Sequence, residues 1–207
     1  MTDVQSPVSR GQFLRNTAKG GLVLATSGGL LASVSGVAFA AGTTSSDIST
    51  MQAAYTAESL AVYVYGAILA NFTKFSHPKL QNKDYFQKAL GDEKAHKALL
   101  ANALGSKTPK FTNASFQIPA SVLKSGQTLL NTGVVLETAF VEAYLGAAGT
   151  FSSADLRLLA AEIAANEATH FSFFDAAAGG HGVLPAVPAT ATIPATVAKL
   201  KPFLTGN

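Results

Sequence analysis

The chain has 207 residues, of which 13% are charged and 48% hydrophobic, and it contains no cysteine. That length holds one domain plus a leader with ample material for a core, and the missing cysteines exclude disulfides, thiolate metal sites and cysteine-based catalysis. Removing residues 1–40 takes away Asp3, Arg10, Arg15 and Lys19 and leaves twelve basic and eleven acidic residues, with no Lys/Arg stripe, so nucleic acid is not an expected partner.

Residues 1–42 have the layout of an export leader. Ser9-Arg10-Gly11-Gln12-Phe13-Leu14-Arg15 opens it, an apolar run from Gly20 to Ala38 diluted by Gly and Ser follows, and Ala38-Phe39-Ala40 offers a small-residue cleavage site. The stretch resembles a twin-arginine leader, with Gly11 where that pattern has its second Arg. An uncleaved anchor is the rival reading, since the run is about long enough to span a bilayer. Cleavage gives an exported, periplasmic or extracellular protein with no stable membrane insertion.

Gly42 to Ser46 reads as a polar linker. Helical periodicity then predicts four long helices. The first spans about Asp47 to Phe72, with Met51, Ala54, Tyr55, Glu58, Ala61, Val62, Tyr65 and Leu69 on one stripe. Glu58 is the only charge between Asp47 and Lys74, and a lone buried carboxylate costs several kcal/mol unless paired or ligated. Phe75 to Pro78 is a predicted turn.

The second helix, about Asn82 to Leu104 and closed by Gly105, carries a core line of Phe86, Ala89, Leu90, Glu93, His96, Leu100 and Ala103. Lys88, Asp92, Lys94 and Lys97 are assigned to its solvated face. Ser106 to Lys124 is a long connection with Pro109 and Pro119. Its extended reach, roughly 3.3 Å per residue, exceeds the length of the helices it joins. The third helix runs from about Gly126 to Ala148 with Leu130, Val134, Glu137, Phe140, Val141 and Tyr144 inward. The fourth starts near Ser152 or Ser153, with Asp155 in its first turn. It ends before Gly179, and its line is Leu156, Leu159, Ile163, Glu167, His170 and Phe174. The tail 181–207, rich in Pro, Ala and Thr, is expected to wrap the bundle with Leu200 and Phe203 as anchors.

Two stretches organise this pattern: Glu93-Lys94-Ala95-His96 and Glu167-Ala168-Thr169-His170. A spacing of three puts Glu and His on one helix face, where both can bind one transition metal. The whole chain has four His, and two of them occupy these matched frames. Each such helix follows one with an inward Glu. A Glu from each of two helices plus Glu-x-x-His from the other two is the dimetal constellation of ferritin-like bundles. Glu58, Glu93, His96, Glu137, Glu167 and His170 fill its six places in order. The predicted depths agree to about 4–5 Å at about 1.5 Å per residue. Glu142 falls on another face, and Glu142 and Glu162 are assigned supporting positions near Arg157. Tyr65 and Tyr144 lie two turns beyond Glu58 and Glu137 on the same faces, as core residues or as hydrogen-bond and electron donors.

Over about Ser46 to Phe174 the chain resembles the ferritin-like domain family that includes exported bacterial and plant desiccation-related proteins. The resemblance rests on Asp92-Glu93-Lys94-Ala95-His96, on Glu167-Ala168-Thr169-His170 and on Glu137 followed by Ala143-Tyr144-Leu145-Gly146-Ala147-Ala148. Many members carry a second Glu where this chain has Ala61. The resemblance implies an all-α, ferritin-like four-helix bundle over 43–180 with a long crossover between its second and third helices. The constellation suits two iron or manganese ions acting on dioxygen or peroxide, or oxidising iron(II). A non-catalytic, stress-protective bundle with structural metal or none is the alternative. Metal ions are the expected partners, with a homodimer as the oligomer to look for; no catalytic residue is assigned.

Overall fold

The computed structural model describes residues 43–74 and 82–205. The leader and the Phe75 to Pro78 turn lie outside the described residues. Among the described residues there are five α-helices: α1 Ser45–Ala70, α2 Lys83–Leu104, α3 Gly126–Thr150, α4 Ala154–Ala178 and α5 Ile193–Leu200. The four long ones fall within a few residues of the periodicity-based boundaries. Their starts are set by side chains that satisfy the first free N–H groups: Thr44 with Asp47 in a capping box, Asn82, Ser125 and Ser153. Gly179, in the left-handed region at φ 110°, closes α4.

Helix α1 pairs with α2, and α3 pairs with α4. The crossover 105–124 folds into three 3-10 turns rather than an extended strap. It meets the tail through an isolated antiparallel bridge, Phe116 with Leu204. Helix α5 was not anticipated from the sequence; at eight residues with Pro near its start, it is too short for a periodic signal. The anchors Leu200 and Phe203 are both buried.

The tail and crossover also explain one departure from the predicted stripe of α1. Leu60 lies off that stripe, yet is fully buried beside Val122, Leu129, Leu200 and Phe203 in one apolar cluster. A helix covered on two flanks buries more than one stripe. By length and composition α1 could cross a bilayer, but here Met51, Glu58, Leu60, Tyr65 and Ile68 are buried within the bundle.

The apolar core forms two clusters. One gathers Tyr65, Phe86, Leu130 and Phe174; the other gathers Met51, Leu100, Tyr144 and Ile163 near the α3–α4 turn. Asp47 closes the second end. Its Oδ1 accepts from the Ser152 N–H at 3.0 Å, and its Oδ2 accepts from Thr44 N–H and Oγ1 and from Ser152 Oγ. Burial pushes the Asp47 carboxyl up, but these donors outweigh it and bring the pKa down to about 2.

Where α3 meets α4, Gly133 lets the Phe174 ring close over the backbone, and a Cβ there would lie 2.2 Å from Phe174 Cδ1. Gly133→Val is expected to cost about 2–3 kcal/mol by overpacking, read as a lower urea midpoint at unchanged slope. Asp47→Ala is expected to cost about 2 kcal/mol through the lost cap and tether. The Asp47 contribution is present above pH 3.8, its unfolded value, and fades as pH falls toward 2, so acid titration of the two proteins should converge there.

Candidate metal centre

All six residues picked out by spacing converge in one layer between the two apolar clusters. None is more than 7% exposed, and Glu93 and Glu167 are fully buried. They form two overlapping groups whose ligand atoms lie within 4.8 Å of one another: Glu58, Glu93, His96 and Glu167, and Glu93, Glu137, Glu167 and His170. Glu93 and Glu167 belong to both. Each Glu-x-x-His therefore supplies one shared carboxylate and one imidazole, as expected for side chains one helical turn apart.

Both imidazoles face inward through Nδ1. His96 Nδ1 lies 3.0 Å from Glu167, 3.5 Å from Glu58 and 3.6 Å from Glu93. His170 Nδ1 lies 2.9 Å from Glu93, 3.3 Å from Glu167 and 3.9 Å from Glu137. Most of these approaches are not aligned as hydrogen bonds. Glu58 Oε2, both Glu93 oxygens, Glu137 Oε2, Glu167 Oε1 and His96 Nδ1 are buried and make none. Such orphaned polar atoms are rare in folded proteins and call for a partner. Hard carboxylate oxygens with two imidazoles form a donor set that iron, manganese and zinc accept. The residues present fit a bound metal.

The remaining oxygens are held by tyrosines in a crossed pattern. Tyr65 Oη donates to Glu137 Oε1 at 2.8 Å, and Tyr144 Oη donates to Glu58 Oε1. Each tyrosine lies seven residues beyond the Glu of its own helix and serves the Glu of the other. That exchange requires α1 and α3 to run antiparallel. The sequence placed these tyrosines on the right faces but could not show that they trade partners. Burial and the adjacent carboxylates raise both phenols well above their ordinary range, so they act as O–H donors.

Two assignments made from periodicity need correction. Asp92 is not simply on a solvated face: its Oδ2 lies 3.6 Å from His170 Nε2, and Lys88 pairs with it from outside. Periodicity within α2 could not find this, because the partner comes from α4. Glu142 does not pair with Arg157; its carboxylate pairs with Lys199 of α5 at 3.0 Å. Arg157 instead donates to the carbonyls of Phe151 and Ser152. Glu162 lies on α4 outside the cluster, and burial raises its pKa.

A model of the ferritin-like domain matches residues 46–180, almost the whole of α1 to α4. The chain belongs to the ferritin-like domain family. No curated protein matches it. The family, the all-α bundle and a buried Glu/His cluster able to hold metal therefore stand together.

Protonation follows from crowding. Burial, with Glu93 and Glu167 nearby, raises Glu58 well above the carboxylate range against the pull of His96. Burial and Glu167 do the same to Glu137. Burial lowers the two imidazoles, but the surrounding carboxylates outweigh it and raise both. Glu167 goes the other way, because His170 and His96 outweigh its burial. Groups whose folded pKa lies above the unfolded one favour folding at low pH and lose that contribution as pH rises. Glu58 and Glu137 start from 4.5 and the imidazoles from 6.5, whereas the Glu167 contribution changes only below 4.5. Metal-stripped protein is therefore expected to lose stability as pH rises above 4.5, and more steeply above 6.5, measured by urea unfolding at each pH. A melting curve that rises with pH over that window contradicts the proton-loaded cluster.

Proposed function

We propose that this chain is an exported ferritin-like protein that holds a dinuclear iron or manganese centre and turns it over with dioxygen or peroxide. The observation that carries the reading is the pair of overlapping four-residue groups with two carboxylates in common. Glu93 and Glu167 would bridge, Glu58 and His96 would complete one position, and Glu137 and His170 the other. Two such ions would supply coordination positions for oxygen species and one-electron changes. Tyr144 and Tyr65 orient the unshared carboxylates by holding one oxygen of each. Asp92 favours the His170 tautomer that carries its proton on Nε2 and frees Nδ1, as outer carboxylates do at metal-bound imidazoles. Export rests on the leader-like segment 1–42, whose cleavage near Ala40 places the mature protein outside the cytoplasm.

Metal uptake must displace the protons of the cluster, so it should release acid and tighten as pH rises. Adding iron(II) or manganese(II) to metal-stripped protein is expected to saturate at two ions per chain with measurable proton release. Binding should stabilise the fold by about 3–4 kcal/mol at 100–1,000 times Kd. Glu137→Ala should lose one or both ions, whereas Glu142→Ala, which breaks only the Lys199 pair, should still bind two. Stabilisation by metal without consumption of dioxygen or peroxide would leave a structural centre. No response to either ion would remove the metal reading.

A further inference from the structure

We propose that a small apolar cavity beside Tyr144, roofed by the C-terminal helix, admits dioxygen to the Glu58 side of the cluster. The inference deepens the metal-centre reading and rests on it. Both imidazoles come from α2 and α4, so the side between α1 and α3 carries only the unshared carboxylates Glu58 and Glu137. Two small cavities border that side. A cavity of about 30 Å³ lies among α1, α3, α4 and α5, with Leu100 of α2 also on its wall, and reaches Ala57, Phe140 and Tyr144. A second, of about 20 Å³, reaches Tyr65, Glu137 and Phe140. Phe140 borders both.

The chemistry of the larger cavity selects its occupant. Its walls are built from side chains such as Met51, Leu159 and Ile163. The Tyr144 hydroxyl is committed to Glu58, and the Thr196 hydroxyl to the Thr192 carbonyl at 3.3 Å. Thr50 brings the only other hydroxyl among the lining residues. An ordered water needs two to four polar partners, and about 10–15 Å³ holds one molecule of that size. The space therefore suits a diatomic apolar molecule better than water. Thr196, Val197 and Leu200 form the roof. Glu142 fastens it, accepting from Ala191 N–H at 2.9 Å and pairing with Lys199. Val197, 38% exposed, brings the roof to the surface.

Xenon, an apolar probe of comparable size, tests the cavity without any metal. In methyl NMR of the full-length, metal-free protein under xenon pressure, signals of Met51, Leu159 and Ile163 are expected to shift. Those of exposed Leu123 and Val135 should stay in place. Ala160→Val, which narrows the cavity from α4, should abolish the shifts and slow dioxygen consumption by iron-loaded protein at unchanged iron stoichiometry. Ala147→Val, from α3, serves if the first variant does not fold. Val197→Ala should open the roof and speed consumption. Absent xenon shifts in the wild type, or consumption at the wild-type rate in a narrowed variant that has lost them, overturns the proposal. Xenon shifts in a protein that takes up neither iron nor manganese support the cavity and overturn the metal-centre reading.

Discussion

Four carboxylates and two imidazoles share one buried layer, and everything around that layer answers to its cost. A buried carboxylate without a partner is expensive, and like charges at close range cannot all ionise. The layer answers in three ways. Two carboxyls, Glu58 and Glu137, are pushed toward the neutral form. Both imidazoles are pulled toward the charged form by the carboxylates they face. Two phenols donate to the unshared carboxylates. These measures still leave buried oxygens without donors. A cluster built only for stability would fill such positions with apolar side chains, because a well-packed hydrophobic core avoids the desolvation cost altogether.

The helix directions follow from the same layer. Glu58 meets Tyr144 and Glu137 meets Tyr65, so α1 and α3 must be antiparallel. Each is also paired with the helix that follows it. A chain that leaves α2 must then travel back along the bundle before starting α3, and the crossover 105–124 does this. Its apolar residues are not idle on the way. Phe116 and Val122 are buried with Leu200 and Phe203, so crossover and tail together close the flank of α1.

Much of this was legible in the sequence because helical spacing is a local property. Apolar periodicity located α1 to α4, and the three-residue step of Glu93 to His96 and of Glu167 to His170 placed ligand pairs on single faces. The order of the six residues carried the topology, since it repeats Glu and then Glu-x-x-His across two hairpins. What the sequence hid were relations between helices. Asp92 beside His170, Glu142 beside Lys199 and the crossed tyrosines each join residues more than fifty positions apart. No periodicity within one helix encodes such a pair. Helix α5 was hidden for another reason: its order depends on contacts with α1 and α3 more than on its own eight residues.

The distribution of packing across the bundle carries the last step. Within each hairpin the helices meet closely, and at Gly133 the Phe174 ring lies against bare backbone. Across the bundle, direct contact is slight both between α1 and α3 and between α2 and α4, and on the α1 flank the crossover and the tail add Val122, Leu200 and Phe203 to the core. The imidazole-bearing helices α2 and α4 share the carboxylates that hold the centre together, and Tyr85 stacks on Phe173 just outside it. The other two helices bring one carboxylate each, and the small residues Ala57, Ala61, Ala143 and Ala147 lie along them. A family pattern with a second glutamate at position 61 would put another polar group on that side. Ala61 is buried and puts a methyl group instead on the wall of the smaller cavity beside Glu137.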